Sequence, residues 1–157
     1  MATTLAQSLR ADHVGGLEFG PVCIVSPETS VRDTLKCMTG FRTGCALVMQ
    51  GEQLAGIFTE RDFLNRVVGD ARDPDVPVGD VMTASPSTIR DSASVLGAIE
   101  TMEGKGFRHL PVIGVDGRPV GVMSVKGIMH YLVEYFPANV YNLPPTPDQT
   151  QPAREGA

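Results

Sequence analysis

The sequence predicts an α+β fold in which two copies of one β-α-β-β-α unit pack together. The first observation is an internal repeat that relates residues 23–68 to residues 87–135. The second is that each copy combines short β-branched runs with segments whose apolar residues recur at helical spacing. The third is size, because one unit of about 50 residues is too small for a robust core, whereas two can bury their sheets against each other. The aligned anchors are Ser30-Val31 with Ser94-Val95, Met38 with Met102, and Gly56 with Gly121.

Five elements are predicted in the first copy. Its first helix begins at an N-cap, Thr29 or Ser30, and its apolar residues follow at helical spacing. Two strands then form a hairpin around a Gln50-Gly51-Glu52 turn. The predicted elements are a strand at 22–25, a helix carrying Val31, Leu35 and Met38, strands at 45–49 and 54–59, and a helix at 60–68 with Phe63, Leu64 and Val67 on one face.

The second copy repeats this order. Ser94 is predicted to cap a helix that runs through Met102. Strands at 110–115 and 119–124 flank Asp116-Gly117, the strongest hairpin dipeptide in the chain. A closing helix is predicted at 125–135 and ends before Pro137.

Bulk composition favours a water-soluble globular protein. The net charge of −5 over 157 residues argues against bulk attraction to nucleic acid or to an anionic membrane, since both need a basic face. The start of the chain has no signal-peptide pattern, and no stretch approaches the ~18 apolar residues of a spanning helix. We therefore expect a cytoplasmic location and no membrane partner.

The cysteines and histidines do not predict a cross-link or a metal site. The three cysteines are odd in number and form no CxxC pair, so disulfides are not expected in a reducing compartment. The histidines have no metal-ligand spacing relative to them, which argues against structural zinc. The residues concerned are Cys23, Cys37, Cys45, His13, His109 and His130.

Several short stretches resemble a tandem pair of CBS domains, a family named for cystathionine β-synthase. In the first copy they are VSPETSV, the apolar strand and GIFTERD; in the second they are SASVLGAIETM, GFRHLPV and GVMSVKG. The resemblance covers about residues 20–137. It implies a pseudo-twofold pair of repeats with two clefts between them, association into a homodimer, and no catalysis by the module itself. The predicted division is an N-terminal, partly helical segment at 1–19, repeat 1 at 20–70, a linker at 71–77, repeat 2 at 78–137, and a Pro-rich, partly disordered tail at 138–157.

The GIFTERD stretch has two interpretations. In the family, a Gly-apolar-apolar-Thr/Ser-x-x-Asp stretch holds a ribose, and Gly56, Thr59 and Asp62 match it in full. An ionised carboxylate accepts two hydrogen bonds and suits a vicinal diol. The structural alternative is a capping box, in which Thr59 accepts from a backbone N–H and Asp62 favours the helix dipole. Both roles can coexist.

The second copy departs from this pattern. Ser124 keeps the hydroxyl, but Gly127 replaces the aspartate. A missing charge-assisted bond costs about 1.5–3 kcal/mol. The sequence therefore predicts one competent cleft at Asp62 and a second, weaker or altered cleft.

Phosphates and adenine need other partners. The resemblance implies phosphate contacts from Arg61, Arg108 and His109 in the first cleft, and from Arg42 and Lys126 in the second, although Arg61 and Lys126 also fit a solvated helix face. Adenine needs apolar walls, and the resemblance implies Met82, Ser87 and Phe107 beside Asp62. Each of these three is otherwise a plain core or loop residue.

The resemblance implies a stand-alone regulatory module that requires no cofactor. It would bind an adenosine-containing nucleotide (AMP, ADP or ATP, with NAD or S-adenosylmethionine also possible) and signal to a regulated partner protein. The alternative is a dimerisation scaffold that binds no ligand, which Gly127 and the sparse basic residues of the first copy support. We find no nucleophile–base pair and no GxxxxGK[ST] loop, which argues against an enzyme.

Overall fold

The computed structural model describes residues 4–141, which form two small β-sheets with helices packed on them. Residues 1–3 and most of the predicted tail at 138–157 lie outside the described part of the chain. The first half contains α1 (Leu5–Ala11), β1 (Cys23–Val25), α2 (Val31–Phe41), β2 (Cys45–Gln50), β3 (Gln53–Thr59) and α3 (Glu60–Asp62), which continues as a π-helix (Phe63–Val68). The second half contains β4 (Thr83–Ala84), β5 (Ile89–Arg90), α4 (Val95–Lys105), β6 (His109–Ile113), β7 (Pro119–Ser124), α5 (Val125–Tyr135) and α6 (Pro137–Tyr141).

The two sheets confirm the predicted α+β pair of repeats. In the first sheet β1 runs parallel to β2, and β2, β3 and β4 pair antiparallel in that order. In the second sheet β5 runs parallel to β6, and β6 pairs antiparallel with β7. The first three strands of one sheet therefore match the three strands of the other, as a pseudo-twofold pair requires.

Strand β2 shows how the two repeats share a core. Ala46 and Val48 point to one face and join the core beneath the helices of their own repeat. Cys45 and Leu47 point to the other face and pack with Val122 of the second repeat. Because successive side chains of a strand alternate between faces, this pattern means that β2 is buried on both sides. The repeats therefore fold as one unit.

The predicted strand at 110–115 was too long. Strand β6 ends at Ile113, and Val115 is 96% exposed. The chain turns at Gly114, whose N–H donates to the carbonyl of Arg118 (2.9 Å). The apolar character of Val115 suggested a strand, but the turn chemistry of the following Asp116-Gly117 pair decided the geometry.

Two segments that lead into β1 and β5 exchange partners. The first lead segment, residues 13–22, packs into the core of repeat 2 through Val14, Leu17 and Phe19. The second lead segment, residues 77–86, packs into the core of repeat 1 through Val78 and Val81. Matching backbone hydrogen bonds hold the two segments in place. In the first, the N–H groups of Val14 and Gly15 donate to the carbonyls of Ala93 (2.8 Å) and Asp91 (2.8 Å). In the second, the N–H groups of Val78 and Gly79 donate to the carbonyls of Thr29 (2.7 Å) and Pro27 (2.9 Å).

Gly56 and Gly121 allow this close approach. A Cβ at Gly56 would lie 2.8 Å from the carbonyl oxygen of Thr83 in the second lead segment. A Cβ at Gly121 would lie 2.8 Å from the Cβ of Phe19 in the first. Real Cβ atoms do not approach that closely, so both matched positions need glycine for packing. The recurrence of this glycine in the two copies thus has a structural cause.

The expectation of no disulfide was wrong, because the structure joins Cys23 to Cys37. Cys23 opens β1, and α2 folds back over that strand, which brings the two Cα atoms to 5.9 Å. That distance lies within the usual range for a disulfide. Neither the redox state of the compartment nor the absence of a CxxC pair indicates that a strand and the helix that follows it are in contact. Cys45 is a free, buried thiol, and burial raises its pKa to about 11.

Substituting Gly56→Ala tests the exchange of lead segments. We expect a loss of about 1–3 kcal/mol in the free energy of unfolding, because the new methyl group meets the backbone of β4. Gly104→Ala is the matched control, since nothing lies within 4 Å of a Cβ there and alanine favours the helix. Urea unfolding measures both. Equal stability of Gly56→Ala and the wild type would contradict the packing role.

Candidate functional site

Thr59 and Asp62 form a capping box at the start of α3. The hydroxyl of Thr59 accepts from the backbone N–H of Asp62 (3.2 Å), and Asp62 Oδ2 accepts from the backbone N–H of Thr59 (3.0 Å). Asp62 Oδ2 also accepts from the Thr59 hydroxyl (3.0 Å). The structural interpretation of GIFTERD therefore holds in this structure, whatever else the pair does.

The other oxygen of Asp62 faces the second lead segment. Thr83 Oγ1 donates to Asp62 Oδ1 (3.3 Å), and Arg66 Nε lies 3.7 Å from the same oxygen. Arg66 also donates to the backbone carbonyls of Val81 (3.1 Å) and Met82 (2.6 Å). Asp62 is only 9% exposed. We call Thr59, Asp62, Arg66 and Thr83 the polar clamp, because together they tie the second lead segment to α3.

The remaining residues predicted beside Asp62 lie in different settings. Arg61 is exposed on α3. Met82 is partly buried in the core of repeat 1, and its sulfur lies against Gly56. Ser87 Oγ accepts from Lys105 Nζ (3.1 Å). Phe107 is 39% exposed after α4.

A cavity of about 480 Å³ opens at the other cleft, beside Ser124 and Gly127. Parts of four segments line it: the first lead segment at 16–22, the end of α2 at 41–44, the start of β6 at 108–109, and residues 122–135 of β7 and α5. Arg42, Ser124 and Lys126, which were predicted for the weaker cleft, all line it. Arg108 and His109, which were predicted for the Asp62 cleft, line it as well, whereas Gly56, Thr59, Arg61, Asp62, Met82, Ser87 and Phe107 do not.

Ser124 retains half of the capping box. Its hydroxyl accepts from the N–H of Gly127 (3.0 Å), as Thr59 accepts from Asp62. The reciprocal carboxylate is missing because Gly127 has no side chain. Among residues 4–141 no side chain takes the place of this carboxylate between the helix turn and the first lead segment, and Gly127 lines the cavity.

The cavity wall carries an excess of positive charge. Arg42, Arg108 and Lys126 line it, and within residues 4–141 none of the three has a carboxylate within 4.0 Å. The acidic residues of the wall are Glu18 and Glu134, and Glu134 Oε2 lies 3.7 Å from His130 Nδ1. An anion entering the cavity would meet three cationic side chains from both repeats.

His109 is the partly buried titratable group of this wall. Burial lowers its pKa below the ordinary value of 6.5, the adjacent Arg108 lowers it further, and Glu60 opposes both. Its ring lies 3.4 Å from the position that a Cβ of Gly44 would occupy. The imidazole is therefore neutral at neutral pH, and it offers one donor and one acceptor rather than a charge.

Aromatic side chains form another part of the wall. The ring centroids of Tyr131 and Tyr135 lie 5.2 Å apart, and Phe41 lines the cavity with them. The Tyr131 hydroxyl donates to the carboxylate of Asp12, and burial together with this bond raises the pKa of Tyr131. This bond ties α5 to Asp12 at the end of α1.

Arg42 adopts an unusual backbone conformation at the cavity wall. It ends α2 with φ 54°, in the left-handed region. The matching position at the end of α4 is Gly106, with φ 67°. A residue with a Cβ pays about 1–2 kcal/mol in this conformation, which glycine avoids. Glycine would therefore suit this backbone conformation better than arginine does.

A sequence profile of the CBS domain matches residues 19–69 and again residues 78–134. The chain belongs to the CBS domain family.

The chain is similar in sequence to two curated proteins and in fold to a solved structure. An uncharacterized 17.7 kDa protein from Acidianus ambivalens is 30% identical over 125 residues, which are 79% of this chain and 75% of that protein. The CBS domain-containing protein CBSCBSPB1 from Arabidopsis thaliana is 36% identical over 110 residues, which are 69% of this chain but only 20% of that protein. The structure of a CBS domain protein from Pyrobaculum aerophilum complexed with AMP matches with a TM-score of 0.70 and 25% identity, over 79% of this chain and 98% of that one.

The pairing of the two lead segments was not predicted from the sequence. Residues 14–19 read VGGLEF and residues 78–83 read VGDVMT, so a Val-Gly pair precedes the first strand of each repeat. This match extends the internal repeat upstream of residues 23 and 87. The aromatic residues Phe41, Tyr131 and Tyr135 were also missed, because their helical spacing is equally typical of a core face.

The described residues show two further properties. None of their helices is both long and apolar enough to cross a membrane. Their His, Cys, Asp and Glu side chains form no group of three or more that would hold a metal ion.

Proposed function

We propose that this CBS pair is a regulatory module that binds an adenosine-containing nucleotide between its repeats and signals to a partner protein. The observation that carries the proposal is the cavity beside Gly127, which both repeats line and whose wall combines three cationic side chains with aromatic rings. AMP bound to the Pyrobaculum aerophilum CBS protein supports the ligand class. We assign the module no catalytic step of its own.

The two parts of the wall suit the two ends of a nucleotide. Arg42, Arg108 and Lys126 provide positive charge for phosphate oxygens, and Arg forms bidentate bonds with phosphate. Phe41 and Tyr135 are 48% and 63% exposed, so their rings are available for a base to stack on. A cavity of about 480 Å³ falls within the range of small-molecule sites.

The Asp62 cleft remains the site that the sequence motif predicts. Asp62 already accepts from Thr59 and Thr83 and lies near Arg66. A ribose would therefore compete with the polar clamp for carboxylate lone pairs. The geometry favours the Gly127 cavity as the first site to fill, and a ligand at Asp62 would have to displace Thr83 or share its acceptor.

A dimerisation scaffold is the second candidate function. Large apolar side chains are exposed on the helices that close each repeat, where Leu64 is 59%, Val68 57%, Met129 48% and Val133 37% exposed. Exposed apolar groups on a helix face favour self-association. A stable dimer by light scattering, with no heat from any nucleotide in calorimetry, would favour the scaffold over the sensor. Homodimerisation, the regulated partner and the cytoplasmic location all remain proposals.

A matched pair of substitutions identifies the cleft that binds. Lys126 and Arg61 occupy matching positions in the two repeats, but only Lys126 lines the cavity. We expect Lys126→Ala to weaken binding of ADP or ATP about tenfold, the size of a lost charge-assisted hydrogen bond, and Arg61→Ala to change it less than about twofold. Isothermal titration calorimetry measures both affinities.

The opposite pattern would place the ligand elsewhere. If Arg61→Ala and Asp62→Asn weaken binding while Lys126→Ala does not, the nucleotide occupies the Asp62 cleft as the motif predicts. If AMP, ADP, ATP, NAD and S-adenosylmethionine all fail to bind the wild type, the sensor function itself is wrong.

Arg42→Gly should separate stability from binding. Glycine removes the cost of the left-handed conformation, so we expect the free energy of unfolding to rise by up to about 1 kcal/mol. The same change removes a cationic group from the cavity, so nucleotide affinity should fall by about tenfold. Urea unfolding and calorimetry on one protein sample test both. A variant with lower stability and unchanged affinity would contradict the proposed role of Arg42.

A further inference from the structure

The Cys23–Cys37 disulfide joins two segments that form the cavity wall. Gly20, Pro21 and Val22 line the cavity and lead directly into Cys23 at the start of β1. On the other side of the link, α2 runs from Cys37 to the wall residues 41–44. Since one helical turn is about 3.6 residues, the link lies about one turn from the wall on that side. The disulfide thus holds together the two chain segments that approach the cavity from repeat 1.

Repeat 2 provides an internal comparison without the link. Val25 pairs with Val48 in the first sheet, and Ile89 pairs with Val112 at the equivalent point of the second sheet. Cys23 lies two residues before Val25, and Ser87 lies two residues before Ile89, so Ser87 is the match of Cys23. The match of Cys37 is Thr101, next to the anchor Met102. Ser87 accepts from Lys105 Nζ (3.1 Å), and the Thr101 hydroxyl donates to the carbonyl of Gly97 (2.8 Å). The covalent link is therefore confined to repeat 1, where α2 ends at the cavity wall, whereas no residue of the matching helix α4 lines the cavity.

The two cysteines differ in access. Cys23 is fully buried, whereas Cys37 is partly exposed. Cys45 is 2% exposed and has no disulfide partner in the described residues. Cys37 is therefore the cysteine of the pair that a reductant reaches more readily, and Cys45 packs in a different buried cluster from the pair.

We propose that Cys23 and Cys37 form a redox device that sets the order of the cavity wall. The disulfide holds residues 20–22 and 41–44 in one arrangement. The dithiol form releases them, so that a ligand must order both segments when it binds. The effect on the segments stands on the fold alone, whereas its effect on nucleotide affinity rests on the proposed function.

The redox step balances with a dithiol as reductant. A thiolate of the reductant attacks the Cys37 sulfur, the bond between the two cysteine sulfurs breaks, and Cys23 leaves as a thiolate that takes up a proton. The second thiol of the reductant then displaces Cys37 from the mixed disulfide. Two electrons and two protons reach the protein, and the reductant becomes a disulfide. A disulfide oxidant reverses the step.

Hydrogen–deuterium exchange of the full chain, oxidised or reduced with dithiothreitol, tests the device. We expect faster amide exchange after reduction in peptides covering residues 20–22 and 41–44. Peptides covering the matching segment of repeat 2, residues 105–108, should exchange equally in both states. Equal exchange at 20–22 and 41–44 in both states, with thiol alkylation confirming each redox state, would overturn the proposal. Failure of Cys23 and Cys37 to pair even after oxidation would also overturn it.

Calorimetry with ADP on the same samples measures the consequence for binding. We expect the reduced protein to bind about fivefold or more weakly, at the lower end of common coupling strengths. Cys23→Ala with Cys37→Ala should reproduce the reduced state without reductant, and Cys45→Ala should respond to dithiothreitol as the wild type does. If the double variant does not fold, the ADP affinities of the oxidised and the reduced wild type still test the coupling. If amide exchange differs between the oxidised and reduced protein but neither state binds nucleotide, the redox device is supported and the sensor function is rejected. If both states bind ADP with equal affinity, the coupling between the disulfide and binding is rejected.

Discussion

The close approach of each lead segment to the sheet of the opposite repeat is the constraint on which the rest of the structure depends. At Gly56 and at Gly121 the lead segment lies so close to a strand that a side chain on the strand would collide with it. Each lead segment contributes core residues to the repeat it enters, so neither repeat has a complete core alone. The clefts follow from this arrangement, because each is bounded by a lead segment and by the first turn of the helix that closes a repeat.

One side chain makes the two clefts unequal. At the first helix, Asp62 accepts from Thr83 and lies near Arg66, and the lead segment is drawn onto the helix. At the second helix Gly127 leaves the Ser124 cap without a reciprocal carboxylate, and the side chain of Tyr131 ties α5 to Asp12, just before the first lead segment. The carboxylate that the family motif associates with ribose is thus already engaged by Thr59, Thr83 and Arg66. The cleft that lacks it stays open and gathers cationic groups from both repeats.

The sequence predicted the repeat, the order of its elements and the fold family, because periodicity and the Ser30 and Ser94 caps are local signals. It also predicted the capping geometry of Thr59 and Asp62. It did not predict that Asp62 accepts from Thr83 Oγ1, because Thr83 meets Asp62 only through the exchange of lead segments. The Cys23–Cys37 disulfide was not predicted for a related reason. It depends on the contact between a strand and the helix packed on it, which the spacing of the cysteines does not reveal. The sequence also did not predict the left-handed backbone of Arg42, because arginine rarely adopts it; Gly106 has the same conformation at the matching point of the other repeat.

A crystal structure of the full chain grown with ADP would show which cleft the nucleotide occupies. We expect electron density for the nucleotide in the cavity beside Gly127, with phosphate oxygens within hydrogen-bonding distance of Arg42 or Lys126 and the polar clamp at Asp62 intact. Density for the ribose against Asp62, with the Gly127 cavity unfilled and Thr83 displaced, would contradict this expectation.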